Sequence, residues 1–284
     1  MENLNIQIAG LNIQIRTAWP VKTDDRFLPF LREENQPWQE RVTVTEADSL
    51  PEPAGPVHWD HGLSDVFTSG GKKCILHRLS DKSRPYLAEI FERDCDREFR
   101  FRAGTGEKPL SVTQICNNLS MEALFLKYGI LILHSSFIRW QGRGILFTAP
   151  SGTGKSTQAD LWAADQGAEI LNGDRAALRK SGGIWTAYGL PFAGSSNIFR
   201  NEQAPVSALV LLRQGDENRL SRPGPAEAMT KIFPEVALHR WDRAFLNRGF
   251  DLISDLLQSV EVYALSCLPD YEAVRLLRDA VTEA

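Results

Sequence analysis

Lys155 and Ser156 close the run Ala149-Pro150-Ser151-Gly152-Thr153-Gly154-Lys155-Ser156-Thr157, whose residue types suit one task, the holding of phosphate groups. Glycines in such a loop let backbone N–H groups turn inward toward an anion. A helix opening directly behind it adds unpaired N–H donors and the positive end of its dipole. In that setting Lys155 reaches the β- and γ-phosphates of a nucleotide and the Ser156 hydroxyl holds Mg²⁺. Ser151, Gly152, Thr153, Gly154 and Thr157 complete the expected cradle. The usual spacing, G-x-x-x-x-G-K-[ST], asks for glycine at 149, where this chain has Ala149.

The motif has meaning only between a strand and a helix, and both are legible here. Ile145-Leu146-Phe147-Thr148 reads as a buried strand, and Ser156 to Gln166 as a helix with Gly167 as its C-cap. Upstream, Ile130 to Ile138 is a second apolar strand, broken in character by His134-Ser135-Ser136. With Gln141-Gly142 as a two-residue turn, Ile138 faces Ile145, Phe137 faces Leu146, and His134 falls opposite Ala149 at the mouth of the loop. Downstream, the helix carries the chain roughly 17 Å away at about 1.5 Å per residue. Residues 168 to 173, as a strand, return it by about 20 Å. Asp174 therefore arrives back at the loop edge, at the carboxyl end of a strand parallel to the first. A carboxylate there can hold a metal or take a proton from an incoming hydroxyl. The competing reading is an Asx-type turn over Asn172-Gly173-Asp174-Arg175.

The remainder reads as support. Residues 1 to 108 are β-rich, with a hairpin at Ala9-Gly10 and three later strands, Cys74 to Leu79, Tyr86 to Phe91 and Glu98 to Arg102. Glu33 to Pro56, with four prolines, reads as loops and short edge pieces. Gly104 to Pro109 is the expected linker to a domain over 109–284, which opens with a helix from Ser111 to Lys127. After Asp174 come a hairpin turning at Ser181-Gly182-Gly183, a Gly/Ser loop over 189–201, and a buried strand from Val206 to Leu212. Helices from Pro225 and from Trp241, a strand from Val260 and a closing helix from Tyr271 follow. His58-Trp59-Asp60-His61 lacks a helix to align its imidazoles and reads as turn residues rather than a metal site.

The bulk properties narrow the function classes. A formal net charge of -4 and a pI near 5.8 lack the electrostatic footprint expected for nucleic acid or anionic membrane. Cys74, Cys95, Cys116 and Cys267 are scattered without a C-x-x-C pair and read as reduced thiols. No signal peptide and no membrane-length apolar run is visible, so the expected location is cytoplasmic.

His134 before the hairpin, and the short path from Gly152-Thr153-Gly154-Lys155-Ser156 through Gly167 to Asp174, resemble the kinase half of HPr kinase/phosphorylase. That family belongs to the phosphoenolpyruvate-carboxykinase-like P-loop group. The tail, Val260 to Asp270, is similar to the end of small HPr-kinase-like proteins found beside peptide-modification genes. The resemblance implies an α/β fold with a P-loop kinase core; it does not extend to the β-rich N-terminal region, which is expected to help recognise the acceptor. It implies ATP and Mg²⁺ as cofactors and transfer of the γ-phosphoryl group to a hydroxyl, most readily serine in a peptide, a protein or a small molecule. Asp174 would act as base, Lys155 and the loop amides would hold the phosphates, Ser156 and Asp174 the Mg²⁺, and His134 would stand nearby. The HPr-directed enzymes carry two adjacent acids where this chain has Gly173-Asp174, and HPr itself is not the expected acceptor. A phosphorylase or pyrophosphate-using enzyme, and a nucleotide-sensing module without transfer, stay open as alternatives. So does assembly into a homo-oligomer; no nucleic acid or membrane partner is expected.

Overall fold

A computed structural model describes residues 1–33, 36–60, 63–78, 84–93, 96–118, 120–239 and 242–283. The fold is mixed α/β, with two large mixed sheets and six helices among the described residues. The chain divides into two compact units, Met1–Ser120 and Met121–Ala284.

In the first unit alternating apolar residues build a nine-stranded sheet. Its strands are β1 (Glu2–Ile8), β2 (Leu11–Thr17), β3 (Leu31–Arg32), β4 (Glu40–Ala47), β5 (Trp59–Asp60), β6 (Ser64–Ser69), β7 (Lys72–His77), β8 (Leu87–Arg93) and β9 (Asp96–Arg102). They lie in the order β3-β1-β2-β4-β9-β8-β7-β6-β5. The Ala9-Gly10 hairpin forms as expected, both turn residues taking positive φ, 51° and 73°. The proline-rich stretch does not stay loop. Glu40–Ala47 is an interior strand, parallel to both β2 and β9, because Val42 and Val44 alternate inward between its flanking prolines. Trp59–Asp60 is a short edge strand rather than a turn, and His58 Nε2 lies 3.3 Å from Thr68 Oγ1. His61, Leu79, Cys95 and Trp241, all used in the sequence reading, lie outside the described residues.

The expected helix over 111–127 is two helices, α1 (Val112–Asn118) and α2 (Met121–Lys127), and the unit boundary falls between them rather than after residue 108. Residues 109–120 stay with the first unit through named bonds. Trp19 Nε1 donates to Pro109 O (2.8 Å), Val112 N donates to Lys22 O, and Ser120 Oγ donates to the fully buried Glu89, which also receives Arg97. Ser111 and Gln114 form a reciprocal capping box that starts α1.

The second unit contains β10 (Ile130–Trp140), β11 (Arg143–Thr148), α3 (Lys155–Gln166), β12 (Glu169–Asn172), β13 (Arg175–Ser181), β14 (Ile184–Gly189) and β15 (Gln203–Gln214). After them come β16 (Arg219–Ser221), α4 (Pro225–Ile232), α5 (Arg243–Ser259), β17 (Glu261–Cys267) and α6 (Tyr271–Glu283). Two long strands, β10 and β15, each serve two groups of partners. Ile130 to His134 pair with β13, and from Ser135 onward the strand pairs with β11. The first residues of β15 pair with β14 and later ones with β11 and β17, so β11 closes back on β15. The polar break at His134-Ser135-Ser136 thus does not end the strand; it marks where β10 changes partners.

The run Ile145-Leu146-Phe147 is apolar throughout because it faces two cores. Ile145 and Phe147 pack with Trp162 of α3 and Val274 and Leu277 of α6. Leu146 packs on the other side with Phe137, Leu178 and Trp185 and with Ile253 and Leu256 of α5. Burial on both faces yields such a continuous apolar strand.

Candidate functional site

The hairpin register follows the expectation from the two-residue turn. Gln141 and Gly142 take φ of 49° and 76°, Ile138 pairs with Ile145 and Phe137 with Leu146, and the ladder runs on to Ser135 with Thr148. His134 is the next residue, and the buried Thr148 hydroxyl donates to its carbonyl (3.0 Å), fixing β10 against the start of the loop.

Beyond Thr148 the chain forms a strand-loop-helix, β11 leading through residues 149–154 into α3. Gly154 is the N-cap of α3 at φ 106°, Gly152 has φ 79°, and Gly167 caps the far end at φ 64°. Only glycine adopts these angles without strain. Ala149 is different. It does not take positive φ, and its methyl group is buried in the core with Phe147, Ala159 and Trp162. The departure from glycine at this position therefore carries no backbone strain. Lys155 is nearly buried, and its ammonium donates to the carbonyls of Ala149 (2.7 Å) and Pro150 (3.2 Å), drawing the loop around itself. Burial pushes the Lys155 pKa below the ordinary lysine value, against the opposing pull of the Glu235 and Asp174 carboxylates. Ser151, Gly152, Ser156 and Thr157 are exposed, with Thr153 half-buried, where a ligand over the helix N-terminus would meet them.

Strand β12 runs in the same direction as β11, with β10 between them, and delivers Asp174 to the same end of the sheet. The turn's backbone demands are met by another residue. Fully buried Asn172 accepts through Oδ1 from the amides of Asp174 (2.9 Å) and Arg175 (3.0 Å), and donates through Nδ2 to Leu190 O and Phe192 O, both at 2.9 Å. All of the hydrogen-bonding capacity of the side chain is thus used, tying the turn to the Gly/Ser loop. The Asx turn forms with Asn172, not Asp174, as the residue that satisfies its amides, so the Asp174 carboxylate is not consumed by those backbone donors. From β10, Ser135 N donates to Asp174 O (3.0 Å) and Ser136 Oγ to Gly173 O (3.1 Å).

The Asp174 carboxylate is partly exposed, 3.3 Å from Arg175 Nε and 4.0 Å from His134 Nε2. His134 Nδ1 lies 2.7 Å from Glu235 Oε2, in the 3-10 turn Phe233–Glu235 that follows α4. A carboxylate only accepts, so Nδ1 carries the hydrogen in this pair, and in neutral His134 the lone pair is on Nε2, facing Asp174. Sequence reasoning does not reach Glu235, 101 residues from its partner after a proline break. Nor does it reach Gly194 and Ser196 of the Gly/Ser loop. A Cβ on Gly194 would stand 2.8 Å from Asp174 Cγ, and a Cβ on Gly173 would stand 2.4 Å from Ser196 Oγ. The loop is packed directly onto the acid. Gly173 is where Ser196 needs the space.

Among the described residues no group of three or more His, Cys, Asp or Glu side chains could hold a metal ion alone. Cys74, Cys116 and Cys267 are buried thiols, and burial raises the pKa values of Cys116 and Cys267. No described helix is long and apolar enough to cross a membrane.

No family model and no curated protein matches the sequence. Among solved structures, the chain is similar to the Hpr(Ser) kinase/phosphatase from Coxiella burnetii, with 12% identity and a TM-score of 0.30, over 54% of this chain and 88% of that one.

Proposed function

We propose that the second unit is an ATP- and Mg²⁺-dependent phosphotransferase that passes the γ-phosphoryl group to a hydroxyl, of the serine type. The observation that carries this reading is the meeting of Lys155, Asp174 and the His134–Glu235 pair at one lip of a strand-loop-helix cradle.

Phosphoryl transfer asks the protein mainly for positioning and charge. The loop amides and the Lys155 ammonium bind the β- and γ-phosphates. Asp174 takes the proton of the acceptor hydroxyl as its oxygen bonds to the γ-phosphorus, and the bond from phosphorus to the bridging oxygen breaks, its electron pair leaving with ADP. Glu235 fixes the ring of His134, so that Nε2 stays directed at Asp174 and shares the proton arriving there. Mg²⁺ is bound in such sites by one or two protein oxygens together with substrate phosphates. Ser156 and Asp174 would hold it, and it would neutralise charge building on the phosphate oxygens.

Replacing Asp174 separates transfer from mere binding. Asp174→Asn is expected to keep the metal-free ATP affinity that the loop and Lys155 supply, while acceptor-dependent ADP release with Mg²⁺ falls by about 10²–10⁴-fold. A sensing module would bind ATP in both forms and show no acceptor-dependent ADP release in either. Lys155→Ala is expected to weaken ATP binding, and unchanged affinity in a direct titration would remove the cradle from the account.

A further inference from the structure

Beside the loop lies a cavity of about 830 Å³, within the range that holds a ligand the size of a short peptide or drug. Its aliphatic lining includes Leu211 and Leu212 of β15 and Leu220 of β16. It meets the loop at Thr148 to Pro150 and Thr153, and it meets the His134 pair at Glu235. Two of its cations, Arg213 at the end of β15 and Lys231 on α4, have side chains without an ion pair or hydrogen bond among the described residues. The other charges of the lining are mostly committed. Arg219 is paired with Glu217 and Glu235 with His134, leaving Glu227 as the acid set against the two free cations.

We infer that this cavity is the acceptor pocket of the proposed transfer reaction, and that it selects a hydroxyl-bearing peptide with a carboxylate close to the serine. The inference rests on the phosphotransferase reading and names its substrate class. Three features favour the acceptor over the nucleoside end of ATP. The exposed residues Ser156 and Thr157 at the start of α3, where the phosphates would be anchored, are not part of the lining. No aromatic side chain among the described lining residues offers a base a stacking surface, as nucleobase sites often do. Glu235 joins the cavity to the side of the loop where the hydroxyl must lose its proton. Arg213 and Lys231 then supply the charge complement for a carboxylate, the arginine through paired donors, while the leucines take a neighbouring apolar side chain.

The test uses the full chain and three labelled, acetylated tetrapeptides: glycyl-seryl-leucyl-aspartate amide, its asparagine counterpart, and the asparagine peptide with a free C-terminal carboxylate. Binding is read by fluorescence anisotropy with a β,γ-imido ATP analogue present, and turnover by ADP release with ATP. At least one carboxylate-bearing peptide is expected to bind about tenfold or more tightly than the neutral one, an advantage lost in Arg213→Gln/Lys231→Gln with the affinity for the ATP analogue unchanged. Whichever carboxylate gives the advantage identifies its source as side chain or terminus. Equal binding of all three peptides, or none, overturns the inference. So does a double variant that weakens the nucleotide and leaves the peptide preference intact. Carboxylate-dependent binding without ADP release upholds the pocket and removes the kinase reading, so the two fail separately.

Discussion

Lys155 is held where burial disfavours its charge, and Asp174 and Glu235 only partly offset this. Because its folded pKa lies below 10.5, the unfolded chain binds more protons between the two values, and stability rises with pH in that window. Nucleotide affinity should move the other way. It is expected to be full while the ammonium persists and to fall as pH rises through the folded pKa, on the acid side of ordinary lysine. Lys155→Arg, always protonated, should lack that alkaline limb in ATP titrations across pH. Gly173 poses a steric question of the same size. Gly173→Ala sets a methyl group 2.4 Å from Ser196 Oγ and 2.6 Å from its Cβ, and is expected to destabilise the fold by about 1–3 kcal/mol in urea unfolding. Ser196→Gly should recover most of that loss in the double variant, and an additive pair would dismiss the contact as its cause.

Elements place these residues, and some were readable in advance. The hairpin from β10 to β11 was legible because a two-residue turn between apolar strands leaves little choice of register, which put His134 near the loop. The return to Asp174 followed from the lengths of α3 and β12. Strand β4 was hidden among prolines, although Val42 and Val44 alternate within it. Glu235 had no signal, since its role exists only where the 3-10 turn after α4 crosses β10. Asn172 was visible as a turn residue, but its second pair of bonds depends on where the loop over 189–201 packs. Helix α5 shows how such packing is pinned. Lys180 of β13 donates to both carboxylate oxygens of Asp255 at 2.8 Å, and Trp185 of β14 donates to Oδ2 at 3.0 Å. The lysine first, and then the indole, hold the Asp255 pKa below its ordinary value. A depressed carboxylate stabilises above its unfolded pKa, and that contribution is lost as pH falls through the folded one. Thermal melts of Asp255→Asn should therefore lie closer to the parent protein in acid than at neutral pH.

At the scale of the molecule, each unit has a core of its own. Both large clusters of the second unit draw only on residues from Leu126 onward, and the Phe67–Ile90 cluster belongs to the first. Residues 121–284 expressed alone are accordingly expected to unfold cooperatively and to bind ATP within about tenfold of the full chain, measured by calorimetry. A non-cooperative melt would show that the first unit is needed to complete the fold. One consequence follows from the way β11 closes back on β15. The strands β11, β10, β13, β14 and β15 form a hoop in which each is bonded on both sides, and His134 and Thr148 sit on it, with Asp174 at the threshold of β13. A hoop does not open one strand at a time. Its amides should exchange with solvent as a single slow group, leaving the faster opening to the loop over 149–154 and to the Gly/Ser loop strapped on by Asn172.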